Sequence, residues 1–173
     1  INQIINQFLD FVRGFDDEPL SSINFGKFLL DLKQQHARLG HKIKITKITR
    51  SKDVPKNLFI DVRQLAFKRM LDNLIINGVK FSKSNNIEVV ATLFNEKIVI
   101  NVLDNGPGIP KEQREKLLQP FERLDQARGS IGGSGLGLAI ANRIMKVHNG
   151  KLELLNRKTG GLNVKITLPI SKG

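Results

Sequence analysis

In the first twelve residues, "INQIINQFLDFV", the apolar positions Ile1, Ile4, Ile5, Phe8, Leu9 and Val12 fall on one face of a helix and Asn and Gln fill the other. A lone helix this short is marginal in water, so its apolar face needs a partner. The stretch "RGFDDEPLSS" carries Gly, Pro, Ser and an acidic cluster and reads as a linker. The chain is thereby expected to divide into a helical piece at 1–14, a linker at 15–21 and a globular domain at 22–173. Within that domain, "SINFGKFLLDLKQQHARLG" predicts a helix that starts near Ser22–Asn24 and closes at Gly40. "KIKITKI" alternates like a half-buried strand, and "NLFIDV" is a second short strand. "DVRQLAFKRMLDNLIINGVKF" is the strongest helix, with Asp61 as its expected N-cap. "NIEVVATLF" and "KIVINVLD" predict a hairpin turning at Asn95–Glu96. A short helix, "KEQREKLLQ", stops before Pro120, and a polar Gly-rich loop follows. "LGLAIANRIMKVH" predicts a helix with a left-handed cap at Asn149–Gly150. "KLELLN" and "LNVKITLP" predict a last hairpin around Gly160–Gly161. Helices interspersed with hairpins indicate an α+β fold rather than a doubly wound parallel sheet. The expected form is a two-layer α/β sandwich, its mixed, mostly antiparallel sheet covered by about three helices.

Composition narrows the class. With 40% hydrophobic and 25% charged residues, the chain of 173 residues reads as one soluble globular domain, or a domain plus an appendage. It has no Cys, which excludes disulfides and thiolate zinc sites. It begins at Ile1 in mid-pattern, which reads as a piece of something longer. A net charge of +12 suits nucleic acid, an anionic surface, phosphates or acidic proteins. The Lys and Arg residues are scattered, Trp and Tyr are absent, and the Phe residues mostly sit in apolar patterns. Stacking platforms for bases need aromatics among the basic residues, so direct nucleic-acid binding is not expected.

Three stretches carry candidate chemistry. On the strongest helix, Arg69, Asn73, Asn77 and Lys80 form one narrow polar stripe on an otherwise apolar surface. The stripe is either the solvent face or one edge of a polar cavity. In a cavity, an Asn carbonyl would suit a hard cation such as Mg²⁺, and Lys an anion. "LDNGPGIP" follows a strand, so the sheet fixes Asp104, while Gly106 and Gly108 allow close backbone approach and Pro107 stiffens the turn. Alone it is a strand-to-helix turn. With company, Asp104 is a carboxylate able to accept from an exocyclic amine such as adenine N6. "GGSGLGLAI" opens an apolar helix, whose N-terminal N–H groups can bind phosphate. Its spacing is not GxGxxG, and GxxxxGK[ST] is absent.

The order of these elements is similar to that of an ATP-binding family shared by sensor histidine kinases, heat-shock-ninety chaperones, DNA gyrase B subunits and the mismatch-repair protein MutL. "LDNLIINGVKF" resembles its N box, "DNGPGI" its first glycine box, "PFERLD" the F box and "GGSGLGLAI" the second glycine box of histidine kinases. The lead-in "QFLDFVRG" and "VHNGKLELLN" are most similar to the osmosensing branch of those kinases. The resemblance implies a catalytic domain that binds ATP and Mg²⁺. Asn77 and Lys80 would be catalytic, Asn77 as the Mg²⁺ ligand with Asn73 in support and Lys80 on phosphate. Gly78 stands where Ala is usual, beside Val79, and Phe81 would pack on adenine. Asp104 would accept from adenine N6, with Gly106, Gly108 and Ile109 lining the base. Phe121, Arg123 and Leu124 would begin a mobile ATP lid, and Ser134, Gly135, Leu136, Gly137 and Leu138 would wrap the phosphates. His36, His41 and His148 lack the context of the family's phosphoacceptor, so that His is expected upstream, with 1–14 the tail of its dimerisation helix. His36 and His41 read as surface residues and His148 as structural. Implied partners are the phosphoacceptor domain of the same protein and a response-regulator receiver domain, in a homodimer. The domain would be cytoplasmic, its parent in a bacterial inner membrane. An ATP-gated chaperone- or MutL-like machine, or a basic nucleic-acid-binding module, is the alternative.

Overall fold

The computed structural model describes residues 2–13, 15–49, 57–122 and 135–170. In chain order its elements are α1 (Asn2–Arg13), β1 (Ser21–Asn24), α2 (Phe25–Arg38), β2 (Lys42–Thr49), β3 (Phe59–Val62), α3 (Gln64–Phe81), β4 (Asn86–Phe94), β5 (Lys97–Leu103), α4 (Arg114–Leu117), α5 (Gly137–Val147), β6 (Lys151–Asn156) and β7 (Leu162–Pro169). A single 3₁₀ turn at Lys111–Gln113 leads into α4.

Alternation fixes the main sheet, whose order is β2-β4-β5-β7-β6. The residues that turn inward are Ile87, Val89 and Ala91 on β4, Ile98, Ile100 and Val102 on β5, and Val164, Ile166 and Leu168 on β7. Registers Val89↔Val102, Ala91↔Ile100 and Ile100↔Ile166 stack these into one apolar face. The outer face is polar at its centre, where Asn163 Nδ2 donates to Asn101 Oδ1 across β7 and β5. Only β2–β4 is parallel, the other pairs being antiparallel. The fold is thus the expected α+β sandwich with a mixed, mostly antiparallel sheet. The apolar sides of α2, α3 and α5 join the inner face in one core, with Phe67, Met70, Leu71, Leu74, Ile140 and Ile144 at its centre.

The β4–β5 turn lies at Asn95–Glu96, both left-handed (φ 48° and 60°), which suits a tight hairpin. Helix α5 closes at His148, and Asn149 is left-handed (φ 55°) with Gly150 N–H bonded to Met145 O, as its sequence predicts.

Two starts differ from the sequence expectation. Ser21–Asn24 is a strand, β1, paired antiparallel with β3. Asn24 is the N-cap of α2, its Oδ1 accepting from Lys27 N–H at 3.0 Å. Asp61 does not cap α3. It sits inside β3, and the helix begins at Gln64 with Arg63 in the cap position and no side-chain cap from it. The cap comes from far away in sequence: Glu18 accepts from Leu65 N–H (2.6 Å) and Ala66 N–H (3.0 Å). A carboxylate there satisfies two orphan donors and complements the helix dipole.

Candidate functional site

Consecutive residues of α3 face two different structures. Asn77 looks at the start of α5: a Cβ on Gly137 would stand 3.1 Å from Asn77 Nδ2 and 3.5 Å from its Oδ1. Gly78 looks at the end of β5: its own Cβ would stand 3.6 Å from Asp104 Cβ and 2.8 Å from Ile87 Cδ1. The polar stripe is therefore not a plain solvent face. Arg69, Asn73 and Asn77 are half-buried, with Lys80 exposed at its end. Asn73 Nδ2 is buried and, among the described residues, has no hydrogen-bond partner. A buried amide donor in that condition costs about 1–3 kcal/mol unless something polar meets it.

Asp104, 7% exposed, follows the last residue of β5. Its Oδ1 accepts from Gly106 N–H (2.8 Å) and Leu162 N–H (3.0 Å). Its main chain is held as firmly: Asp104 N–H donates to Leu162 O, and Arg157 Nη1 donates to Asp104 O at 2.6 Å. Gly161 (φ 100°) packs so tightly on Asp104 O that no Cβ fits there. Both side-chain bonds fall on Oδ1, which leaves Oδ2 as the oxygen to face a ligand. Gly106 is required because a Cβ would collide with Phe81 O. Asn105 ties the loop to the end of α3, bonding Ser82 and Ser84. Gly108 is left-handed (φ 72°), and Ile109 N–H donates to Asn156 Oδ1 at 2.9 Å.

Leu136 and Ile109 are buried and Leu138 and Val79 pack against the core. At α5 the phosphate-directed groups would therefore be backbone, not side chain. Leu136 stands in the N-cap position of α5 and, among the described residues, no side chain caps from it, so the helix start offers main-chain rather than side-chain groups. The Phe81 side chain is 36% exposed at the end of α3. Phe121 and Gly135 are both left-handed, and Phe121 N–H donates to Gly135 O at 3.1 Å. Arg123, Leu124, Ser134 and the expected lid lie outside the described residues.

Three histidines bind other parts of the fold. His148 is buried, with Nδ1–H donating to Ile144 O (2.7 Å) and Nε2 accepting from Arg63 N–H (2.9 Å). That tautomer is neutral, and burial holds its pKa below the ordinary value. It joins the end of α5 to the start of α3, the structural role expected. His36 corrects the sequence reading, being 2% exposed. It donates from Nε2 to Asp72 Oδ1 (2.8 Å), and its Nδ1 lies 3.0 Å from His41 Nδ1. Lys68 bonds the other Asp72 oxygen at 2.6 Å. Burial pushes Asp72 up, but the bonds from His36 and Lys68 outweigh it and hold the carboxyl below its usual range. His41 is held below its usual value by burial and by the neighbouring His36.

The sequence reading gave no role to Glu18, Asn156 or Arg157, although Asn156 ends the quoted stretch "VHNGKLELLN". Their only signals are an acid in a Pro-bearing connector and an Asn-Arg pair at a strand end.

A sheet beneath α3 and α5, with a carboxylate-anchored glycine loop at one end and a glycine-opened helix at the other, defines an ATPase-type α/β sandwich. It is neither a P-loop nor a doubly wound fold, whose phosphate loops follow directly on a strand. The chain belongs to the histidine kinase-, DNA gyrase B-, and HSP90-like ATPase family, whose model matches residues 62–172, and it is a catalytic ATP-binding domain of the histidine kinase kind. The sensor histidine kinase CpxA of Escherichia coli (strain K12) is 38% identical over 108 residues, 62% of this chain and 23% of CpxA. The sensor histidine kinase WalK of Bacillus subtilis (strain 168) is 30% identical over 163 residues, 90% of this chain and 25% of WalK. The solved histidine kinase domain of the E. coli osmosensor EnvZ is 32% identical with a TM-score of 0.66, over 90% of this chain and 91% of that one. The chain thus spans about a quarter of the length of these curated relatives.

Proposed function

We propose that the chain binds Mg-ATP between α3 and α5 and positions it for transfer of the γ-phosphoryl group to a histidine imidazole of the same protein. ADP is released, and the phosphoryl group then passes to an Asp carboxylate on a response-regulator receiver domain. The observation that carries this reading is the pairing of Asn77 with Gly137 and of Gly78 with Asp104, by which consecutive residues of α3 meet the start of α5 and the carboxylate at the end of β5. Phosphoryl transfer needs positioning and charge neutralisation more than covalent help from the protein.

Each residue has a part. Asp104 Oδ2 accepts from the adenine amine, with the loop from Gly106 through Gly108 to Ile109 lining the base. Phe81 lies along it. The backbone from Gly135 through Leu138 turns its N–H groups to the phosphates, and Lys80 adds positive charge. The residues present fit a magnesium ion: the half-buried Asn77 offers a hard oxygen, and the orphaned Asn73 amide offers a donor to a bound water or phosphate oxygen. Mg²⁺, when bound, neutralises charge on the phosphates. The +12 charge suits ATP and an acidic receiver domain alike. Residues 1–14 would continue a dimerisation helix of a homodimeric, membrane-anchored parent, itself phosphorylated on His. Among the described residues, no helix is long and apolar enough to cross a membrane.

The test is titration of a fluorescent ATP analogue with and without Mg²⁺. Wild type should bind in a Mg-dependent way, Asn77→Asp should lose the Mg-dependence as measured, and Asp104→Asn should lose the base. Equal binding by all three would remove these residue roles, and no binding by wild type would remove the reading.

A further inference from the structure

The loop that would read the base is held at both ends by two consecutive residues at the end of β6, neither of them in the N box, the F box or the glycine boxes. At its start, Arg157 Nη1 donates to Asp104 O at 2.6 Å. At its far end, Asn156 Oδ1 accepts from the N–H of buried Ile109 at 2.9 Å. Gly108 is moulded to the same amide, since a Cβ there would stand 2.8 Å from Asn156 Oδ1. Arg157 is itself fixed, its N–H donating to Gly161 O (2.9 Å) and its O accepting from Gly160 N–H (3.1 Å). The span from Asp104 to Ile109 is therefore clamped to the turn between β6 and β7, while the start of α5 and Asn77 are held elsewhere.

We infer that Asn156 and Arg157 are positioning residues for nucleobase selection. They act through Asp104 and Ile109 and leave the phosphate end untouched. The inference rests on the reading of Asp104 as the adenine acceptor and extends it to what aims that carboxylate. Adenine presents a donor at its six position and guanine an acceptor, so discrimination depends on where Oδ2 points. An acceptor lost from the clamp leaves the N–H of buried Ile109 without its partner and lets the loop turn, and the cost falls on ATP alone.

The test measures affinities of the 173-residue chain for ATP, GTP and tripolyphosphate, each with Mg²⁺, alongside thermal unfolding without nucleotide. Asn156→Ala should weaken ATP about tenfold, the worth of one hydrogen bond, and lower the ATP-to-GTP preference by the same factor. Tripolyphosphate should bind as before. Asn156→Asp, which keeps an acceptor at the same place, should restore the preference. Arg157→Gln should repeat the loss and Arg157→Lys recover part of it, a comparison that stands even where Asn156→Ala fails to fold. Parallel loss of all three ligands, or an unchanged ATP-to-GTP ratio beside a lowered melting temperature, would make the pair merely structural and overturn the inference. A wild type that binds ATP and GTP alike would overturn the adenine reading along with it. A wild type that prefers ATP, beside variants that keep the preference, overturns this inference alone.

Discussion

Asn77 and Gly137 face each other across the gap between α3 and α5, the glycine's missing Cβ leaving the amide its place (3.1 Å to Nδ2). A methyl group there would push the amide by a few tenths of an ångström. Alanine also favours a helix over glycine by about 1 kcal/mol. Gly137→Ala should therefore keep or raise the melting temperature while weakening Mg-ATP about tenfold. Calorimetry with and without Mg²⁺ checks both halves. A variant that binds as wild type does would show that Asn77 has no part in holding the cation.

Asp104→Asn keeps the shape. Its Oδ1 can still accept from Gly106 and Leu162 N–H, but Nδ2 then meets the adenine amine donor to donor. The fold should survive and ATP affinity fall by about 100-fold, because a buried donor is left unpaired. Far-UV circular dichroism and a nucleotide titration on one sample decide it.

Glu18→Ala strips two main-chain donors at the start of α3 of their acceptor. The expected loss is about 1–2 kcal/mol of folding stability, read by urea denaturation, with nucleotide affinity unchanged at saturating fold. Glu18→Gln, which keeps one acceptor oxygen, should lose less.

His148 has a folded pKa below its ordinary 6.5, as burial opposes charge. Between those two values the unfolded chain takes up a proton that the folded one refuses, so stability must fall as pH drops below 6.5 and be independent of this group above it. His41 acts with the same sign. Asp72, held low, contributes stability at neutral pH that is lost only as pH falls below its ordinary 3.8. Urea midpoints measured from pH 8 to pH 5 should decline, and His148→Gln should start lower and decline less. A midpoint flat in wild type over that range would contradict the neutral tautomer assigned to His148.

The five strands of the main sheet, the two hairpins and the closing cap of α5 were legible because each is set by local chemistry: alternation in "NIEVVATLF", paired turn residues at Asn95–Glu96, Asn-Gly after α5. The family was legible because the N box and both glycine boxes are short contiguous runs, and the family model matches residues 62–172. What sequence hid were bonds that close over long separations. Asp61 looked like a cap because it precedes an apolar run, yet β1 recruited its neighbourhood into a two-stranded ribbon and Glu18 reached the helix instead. His36 looked like a surface residue because its neighbours are polar, but Asp72, on another helix, gives it a buried partner. Asn156 and Arg157 were legible only as the end of a strand, since the groups they hold lie 47 and 53 residues away.

The support beneath Asp104 comes from Arg157, Gly161 and Leu162, all of which follow both glycine boxes in sequence. Synthesis runs in that order, so every motif quoted for nucleotide binding leaves the ribosome before the floor that aims its carboxylate. A nascent chain halted ahead of Arg157 would display both glycine boxes and Asn77, yet also the unpaired inner edge of β5, where β7 has still to dock. The loop at Asp104 thus gains its support only after both glycine boxes are made, and a chain halted in between exposes a strand edge that invites aggregation.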